Sequence, residues 1–234
     1  MDTKERELTT MPTTMNVPQR LGRWLAFAAL LALVALGIAG RADLPMLNAF
    51  VGVCLALMLV AMLVIDPDLA RERLRRGQAG EDPARLLAIR LVCLALFVFA
   101  LLDVGRLHWS DRVPAPLQAA SLAVFAIAFA WELWAVSANR FFVPVIRVQR
   151  ERGHTVVSSG PYAIVRHPGY AGMVLLGPVG ALALGSWWGL VPGLALSGLF
   201  LARAAHEDRF LMASLEGYAD YAARVRFRIL PGVW

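Results

Sequence analysis

Long apolar runs, broken by short polar stretches rich in proline and glycine, organise this sequence. Residues 24–40, 44–65, 86–104 and 114–137 each carry enough consecutive apolar positions to cross a hydrocarbon core of about 30 Å as a helix rising about 1.5 Å per residue. Two shorter runs follow, 170–184 and 187–201. The Gly185-Ser186 pair between them, next to Trp187 and Trp188, predicts a turn with an interfacial aromatic anchor, hence a helical hairpin. The second arm is predicted to continue as an amphipathic helix to about Leu215, out of the membrane. The pattern therefore predicts an all-α, polytopic helical membrane protein of about six spans, the last two forming the hairpin. Residues 1–23 are polar, threonine-rich and aperiodic, and read as a disordered tail. The chain thus divides into that tail, a four-helix transmembrane region over 24–137, and a region over 138–234 that combines a polar loop, the hairpin and a C-terminal segment. The run over 24–40 resembles a signal-peptide core, but no clean small-x-small cleavage site precedes the next run, and it reads as the first spanning helix.

Composition sharpens this picture. The chain is 59% hydrophobic, above the half typical of soluble domains. Its net charge of +6 comes almost wholly from arginine, Lys4 being the single lysine. Basic residues concentrate in 1–23, 66–90, 138–168 and from Arg203 onward, while the intervening loops hold Arg41, Arg106 and Arg112. This positive-inside bias predicts that both termini and the polar loop before residue 170 face the cytoplasm. Such charge is explained by topology, and no basic soluble module for nucleic acid is present. Cys54 and Cys93 lie inside apolar runs, without C-x-x-C or metal-ligand spacing, so neither a disulfide nor a metal site is predicted. Dinucleotide, P-loop, H-E-x-x-H and G-x-S-x-G motifs are absent.

The densest polar information lies at the mouth of the hairpin. The segment Gly160-Pro161-Tyr162, then Arg166-His167-Pro168-x-Tyr170-x-Gly172, runs straight into the apolar arm. Folding two antiparallel helices about Gly185-Ser186 places Tyr170 level with Leu201 and His167 level with Ala204. Arg203, His206, Glu207 and Asp208 would then cluster beside His167 and Tyr170. Each has a plainer reading. Arg166 is suited to headgroup contact, His167 to an interfacial hydrogen bond and Tyr170 to an aromatic belt. Pro168 suits helix entry and Gly172 close packing. Glu207 is spaced to pair with Arg203 at i, i+4, and Asp208 suits a solvated face. Their coincidence at one depth favours a pocket for a charged small molecule. Asn139-Arg140-Phe141-Phe142 ends the fourth run. Arg147, Arg150 and Arg152 follow in a stretch compatible with an amphipathic surface helix, and His154 comes after them. The tail carries Tyr218-x-x-Tyr221, Arg224, Arg226 and Arg228, placed either to cover the pocket or to lie on lipid. Asp103, at a helix end, is expected to be solvated. Glu132, one turn from the end of its helix, is expected to reach the pocket or to pair with an arginine.

Asn139-Arg140-Phe141-Phe142, Arg152-Gly153-His154, Gly160-Pro161-Tyr162, Val165-Arg166-His167-Pro168-x-Tyr170-x-Gly172, Arg203-x-x-x-Glu207-Asp208 and Gly217-Tyr218-x-x-Tyr221 resemble the isoprenylcysteine carboxyl methyltransferase family, which is related to the phospholipid N-methyltransferases. The resemblance covers about residues 131–234; upstream, the runs match only as hydrophobic spans. It implies a membrane methyltransferase that uses S-adenosyl-L-methionine in an all-helical fold, with 138–234 as the catalytic region and the cofactor pocket on the cytoplasmic side. Carried over by position, it implies cofactor contacts from Tyr162, His167, Pro168, Tyr170, Gly172, Arg203, Glu207 and Asp208. His167, Glu207 and Arg166 are implied as the residues nearest the chemistry. The family usually has two glutamates where this chain has Glu207-Asp208, which leaves Asp208 less defined than Glu207.

The residue chemistry agrees with that implication. A carboxylate such as Glu207 suits the cofactor's ammonium, and Arg166 or His167 suits its carboxylate. Tyr170 offers a ring face or a hydroxyl. Methyl transfer is an in-line displacement that needs positioning and exclusion of water more than acid–base groups. The acceptor is expected to be lipidic or small and apolar, bearing a carboxylate, thiol or amine, and to enter between helices from the surrounding lipid. Two other classes fit less well. A nicotinamide-dependent membrane reductase of the steroid-reductase type shares the Tyr-x-x-Tyr, Arg and Pro-Gly tail but not the Arg-His-Pro loop. The other is a non-enzymatic membrane protein, such as an assembly factor or a transporter; a transporter would favour internal repeats and mid-membrane polar breaks, and the sequence shows neither.

Overall fold

A computed structural model describes residues 17–75, 80–110 and 113–234. Arg76, Arg112 and most of the tail read as disordered lie outside the described residues. Helix α1 (Val17–Ala39) already begins within the predicted tail, so residues 17–23 are helical rather than disordered. It is followed by α2 (Pro45–Val64), a short α3 (Pro67–Leu74), α4 (Pro83–Leu102), α5 (Ala115–Ala138), α6 (Pro168–Leu184), α7 (Leu190–Ser214) and α8 (Tyr218–Arg224). The described residues form no β-strand, and the protein is an all-helical membrane protein. Leu21–Ala39, Pro45–Val64, Pro83–Leu107 and Ala115–Ala138 are long and apolar enough to cross a bilayer, whereas α6 is shorter.

Local sequence explains the helix starts. Proline occupies the first turn of α2, α3, α4, α5 and α6, where its missing N–H would be unpaired anyway. Asp66 caps α3 by accepting from the backbone N–H groups of Asp68 and Leu69. Asp82 likewise accepts from Arg85 N–H at the start of α4.

Close contacts between small residues bring the helices of the C-terminal half together. A Cβ on Gly172 of α6 would sit 2.6 Å from the Ala128 carbonyl of α5. A Cβ on Gly177 would sit 2.6 Å from the Gly193 carbonyl of α7. Both approaches require glycine, because a methyl group would force the backbones apart. The predicted hairpin is present: Gly185 closes α6 at φ 92°, Gly177 faces Gly193, and Ser197 Oγ donates to the Val174 carbonyl. Phe50 and Phe125, with ring centroids 4.8 Å apart, join α2 and α5 in the apolar core, against Ala183 and Leu184 of α6.

Two expectations are corrected here. Asp103 is not solvated: a π-helical turn over Asp103–Leu107 buries it at 1% exposure. Its carboxylate accepts from Ser110 N–H at 2.8 Å, from Ser110 Oγ, and from Ser186 Oγ at 2.5 Å. Buried polar groups need such partners, and these tie the end of α4 to the hairpin turn. Nor does the stretch around Arg147, Arg150 and Arg152 form an amphipathic helix. It is irregular apart from one 3-10 turn, Arg150–Arg152. Arg147 instead pairs with Glu72 at 2.7 Å and Glu151 at 2.6 Å, and Arg152 with Asp68 at 2.7 Å. These ion pairs lash the loop to α3.

Candidate cofactor and acceptor cavity

The His-Pro loop is fixed at the start of α6 by the C-terminal strap. The backbone N–H groups of Arg166 and His167 donate to the carbonyls of Phe227 and Arg228 at 2.9 and 2.8 Å. Behind them lies Asp208, 3% exposed. It accepts from Arg166 Nε at 2.8 Å and Nη2 at 3.0 Å, from Arg228 Nε at 2.8 Å and from Tyr218 Oη at 3.0 Å; His167 Nε2 lies 3.1 Å away. Burial alone would raise this carboxyl's pKa, but hydrogen bonds from His167, Arg166 and Arg228 hold it far below the ordinary range. The Tyr218 phenol moves the other way, pushed far up by burial and by the Asp208 charge.

This network engages two of the residues singled out in the sequence. Asp208 does not line the cavity and is saturated by protein groups. Arg166 reaches the cavity wall, but its guanidinium is spent on Asp208 and on the carbonyls of Val225 and Arg226 at 2.9 and 2.7 Å. Both residues are thus held by protein groups. His167 Nε2 also lies 3.3 Å from Tyr218 Oη, while Nδ1 has no hydrogen-bond partner among the described residues.

A second chain of contacts does face the cavity. Tyr170 Oη donates to Glu207 Oε2 at 2.7 Å and accepts from Arg203 Nε at 3.0 Å. Arg203 Nη2 donates to the Pro144 carbonyl at 2.5 Å. The spacing had suggested that Glu207 pairs with Arg203 along α7; the Tyr170 hydroxyl stands between them instead. Arg203 is 3% exposed, and its Nη1 is buried without a partner. Buried donors are almost always satisfied, so an orphan guanidinium nitrogen marks a place for an acceptor. Tyr162 closes the same wall: its hydroxyl accepts from Asn139 Nδ2 at 3.2 Å, and its carbonyl accepts from Tyr221 Oη at 2.7 Å.

The structure thus brings Tyr162, His167, Tyr170, Arg203 and Glu207 to the wall of one cavity of about 690 Å³. Pro168 and Gly172 do not line it. The Pro168 carbonyl accepts from Trp131 Nε1 at 2.9 Å, and Gly172 lets α5 and α6 meet. His206, expected in the cluster, does not line the cavity either. The cavity extends from this polar end into the apolar bundle, between Leu31 and Val34 of α1, Cys54 and Met58 of α2, and Phe97 of α4. Sequence reasoning missed Arg73, which reaches the cavity from α3. A lone arginine in a basic loop carries no signal that separates it from its topological neighbours.

Residues 119–213 match the model of the isoprenylcysteine carboxyl methyltransferase (ICMT) family. The chain is 29% identical over 100 residues to protein-S-isoprenylcysteine O-methyltransferase B of Arabidopsis thaliana, covering 38% of this chain and 47% of that protein. It is 30% identical over 132 residues to the cobalt-zinc-cadmium resistance protein CzcN of Cupriavidus metallidurans, covering 55% and 56%. A probable protein-S-isoprenylcysteine O-methyltransferase of Oryza sativa subsp. japonica is 31% identical over 104 residues, covering 40% and 50%. The chain spans about half the length of the curated relatives it matches. Among solved structures, the eukaryotic intramembrane Ras methyltransferase ICMT shares the fold at a TM-score of 0.56 and 20% identity, over 90% of this chain and 75% of that one. The matched residues hold the His-Pro loop, both arms of the hairpin and the Arg203–Tyr170–Glu207 relay, and it is there that the chain is similar to the isoprenylcysteine carboxyl methyltransferase family.

Proposed function

We propose that the protein is a membrane-embedded, S-adenosyl-L-methionine-dependent methyltransferase acting on an acceptor with an apolar chain. The observation that carries this reading is the orphan Nη1 of Arg203 beside the Glu207 carboxylate, at the polar end of a cavity whose other end is apolar. The residues fit the cofactor. Its amino-acid end presents a carboxylate and an ammonium, and Arg203 and Glu207 supply one group of each opposite sign, held in register by Tyr170. Charge-assisted hydrogen bonds of this kind are the strong ones. When bound, the cofactor supplies an electrophilic methyl group on a sulfonium sulfur.

The chain's own groups then have separable tasks. Arg203, Tyr170 and Glu207 bind and orient. His167 and Tyr162 wall the polar end, and Asp208 with Arg166 and Arg228 keeps the His-Pro loop and the strap in place. Apolar residues of α1, α2 and α4 line the acceptor end and exclude water, which a displacement at carbon requires. A carboxylate or thiolate acceptor needs no base. The positive-inside pattern supports a cofactor end on the cytoplasmic side with both termini there, and α6 with the apolar half of α7 supports six spans.

The test is thermal stability of the detergent-purified protein with S-adenosylhomocysteine and, separately, with NADPH, since a ligand of the folded state raises the apparent melting temperature. S-adenosylhomocysteine should stabilise the protein, and Glu207→Gln or Arg203→Gln should weaken its affinity about 10- to 100-fold, the loss of one hydrogen bond to a charged group. Stabilisation by NADPH alone would sink the reading in favour of a reductase.

A further inference from the structure

The strap that holds the His-Pro loop has one committed side and one open side. Residues 225–234 follow α8 as irregular backbone. On the committed side, Ile229 is buried with Tyr170 and Ala204, in a cluster completed by Ala171, Met173 and Val174 of α6, Phe200 of α7 and Trp234. The strap also closes on itself. The Trp234 carbonyl accepts from the N–H groups of Arg228 and Ile229 at 2.9 and 3.0 Å, and its ring lies 5.2 Å from the Arg228 guanidinium carbon. On the open side, Leu230 and Val233 are 54% and 74% exposed, and Phe227 is exposed as well.

Depth decides what this open side meets. Tyr170 and Ala204 stand where the apolar runs of the hairpin begin, and Ile229 is anchored level with them. Leu230 and Val233 are therefore presented where water gives way to hydrocarbon. A single exposed leucine on a soluble surface needs no explanation; two large apolar side chains on either side of a turn at membrane depth suit an interfacial contact.

Charge decides which lipid. Arg224 and Arg226 are exposed and make no ion pair with any described residue. After Asp220 the sequence holds no acidic residue, so nothing within the strap offsets them. A neutral lipid surface would take up Leu230 and Val233 but leave both arginines unpaired. A soluble anion would pair the arginines and leave the apolar side chains in water. A second copy of the chain, meeting this face symmetrically, would set like charges against each other. Anionic headgroups over hydrocarbon satisfy both features at once.

We infer that the strap is a docking surface for anionic lipid, with headgroups on Arg224 and Arg226 and with Leu230 and Val233 set into the interface, and that this docking tightens the cofactor site. The link is short. The Phe227 and Arg228 carbonyls accept from the Arg166 and His167 N–H groups at 2.9 and 2.8 Å, and Arg228 Nε donates to Asp208 at 2.8 Å. His167 lines the cavity. Irregular surface segments open locally at low free energy, and lipid bound to the closed strap lowers the share of the open form, in which the His-Pro loop is unsupported. The docking itself stands apart from the methyl-transfer reading; only its effect on the cofactor rests on that reading. Linkage is reciprocal, so cofactor product should strengthen lipid docking by the same factor.

The test measures hydrogen–deuterium exchange of residues 225–234 in nanodiscs of phosphatidylcholine alone and of phosphatidylcholine mixed with phosphatidylglycerol. Phosphatidylglycerol should slow strap exchange by at least about fivefold, the worth of one arginine at an anionic surface, and high salt should abolish the difference. The double variant Arg224→Gln with Arg226→Gln leaves every backbone carbonyl in place. It should keep the wild-type melting temperature in phosphatidylcholine and lose the lipid-dependent slowing. Leu230→Ser with Val233→Ser should exchange faster than wild type in both lipids. Affinity for S-adenosylhomocysteine should rise with phosphatidylglycerol in the wild type and not in the double arginine variant. Equal strap exchange in the two lipids, slowing that survives in the arginine variant, slowing reproduced by inorganic phosphate added to phosphatidylcholine discs, or slowing confined to discs that hold two copies would each overturn the docking surface. Slowing without any change in S-adenosylhomocysteine affinity would overturn the coupling. Failure of S-adenosylhomocysteine to bind in any lipid would instead overturn the methyl-transfer reading, and the exchange measurement, which needs no cofactor, would still decide the docking.

Discussion

At the scale of single residues, adjacent positions in this site do opposite jobs. Glu207 and Asp208 are neighbours in sequence, and only Glu207 faces the cavity. Asp208 points across α7 into a cage of Arg166, Arg228, Tyr218 and His167. Removing one partner of such a buried network leaves uncompensated charge, at a cost of about 3–5 kcal/mol. Asp208→Asn should therefore lower the melting temperature strongly, and lose cofactor-product binding because the His-Pro loop is no longer held. Glu207→Gln should keep the melting temperature of the apoprotein and lose binding alone. The pH dependence follows from the same geometry. A carboxyl whose folded pKa is depressed contributes its full stability above its unfolded value of about 3.9, and loses it as pH falls toward the folded pKa. The wild type should thus lose stability below about pH 4 in excess of Asp208→Asn, checked by parallel melts in detergent across that range. Equal acid slopes in the two proteins would remove Asp208 from its role.

At the scale of elements, the hairpin is a lever. Its arms touch backbone to backbone at Gly177 and Gly193, about two to four helical turns from the relay of Tyr170, Arg203 and Glu207. Cores resist added volume by shifting, typically at about 1–3 kcal/mol. Gly177→Val should splay the arms, and because α6 carries Tyr170 while α7 carries Arg203 and Glu207, the relay should separate. The expected result is a modest fall in melting temperature with a disproportionate loss of S-adenosylhomocysteine binding. A variant that melts lower but binds as tightly as wild type would show the relay to be independent of the crossing. This hairpin register was legible in the sequence, since two antiparallel helices joined by a short turn leave one parameter, the rise per residue, to set which residues are level. The rotation of each side chain about its axis was not. The i, i+4 spacing of Arg203 and Glu207 suggested a direct pair, and nothing local foretold that the Tyr170 hydroxyl would intervene. The role of Asp208 was hidden for a related reason: three of its partners, Arg228, Tyr218 and Arg166, come from segments whose packing is tertiary. The solvated end predicted for Asp103 failed because the π-turn that buries it is held by Ser110, seven residues on, and by Ser186, far away in the chain.

At the scale of the whole molecule, the two ends of the cavity are built from different parts of the chain. The polar end comes from the irregular loop over 139–167, from α6 and from α7; the apolar end adds α1, α2 and α4, which the family match does not reach, to apolar residues of α5, α6 and α7. Binding of the cofactor and of the acceptor should therefore be separable by mutation. Met58 lines the apolar end from α2, distant in sequence and element from the relay. Met58→Trp adds bulk where the acceptor chain would lie, without touching any residue that holds Arg203, Tyr170 or Glu207. The variant should keep the wild-type thermal shift with S-adenosylhomocysteine, which also reports that it is folded, while methyl transfer to an apolar-chain acceptor falls by at least tenfold through a raised KM. If both properties fall together, the two ends are one cooperative site. If neither falls, the acceptor does not use the space between α1, α2 and α4, and the cavity's apolar end is packing rather than a binding surface.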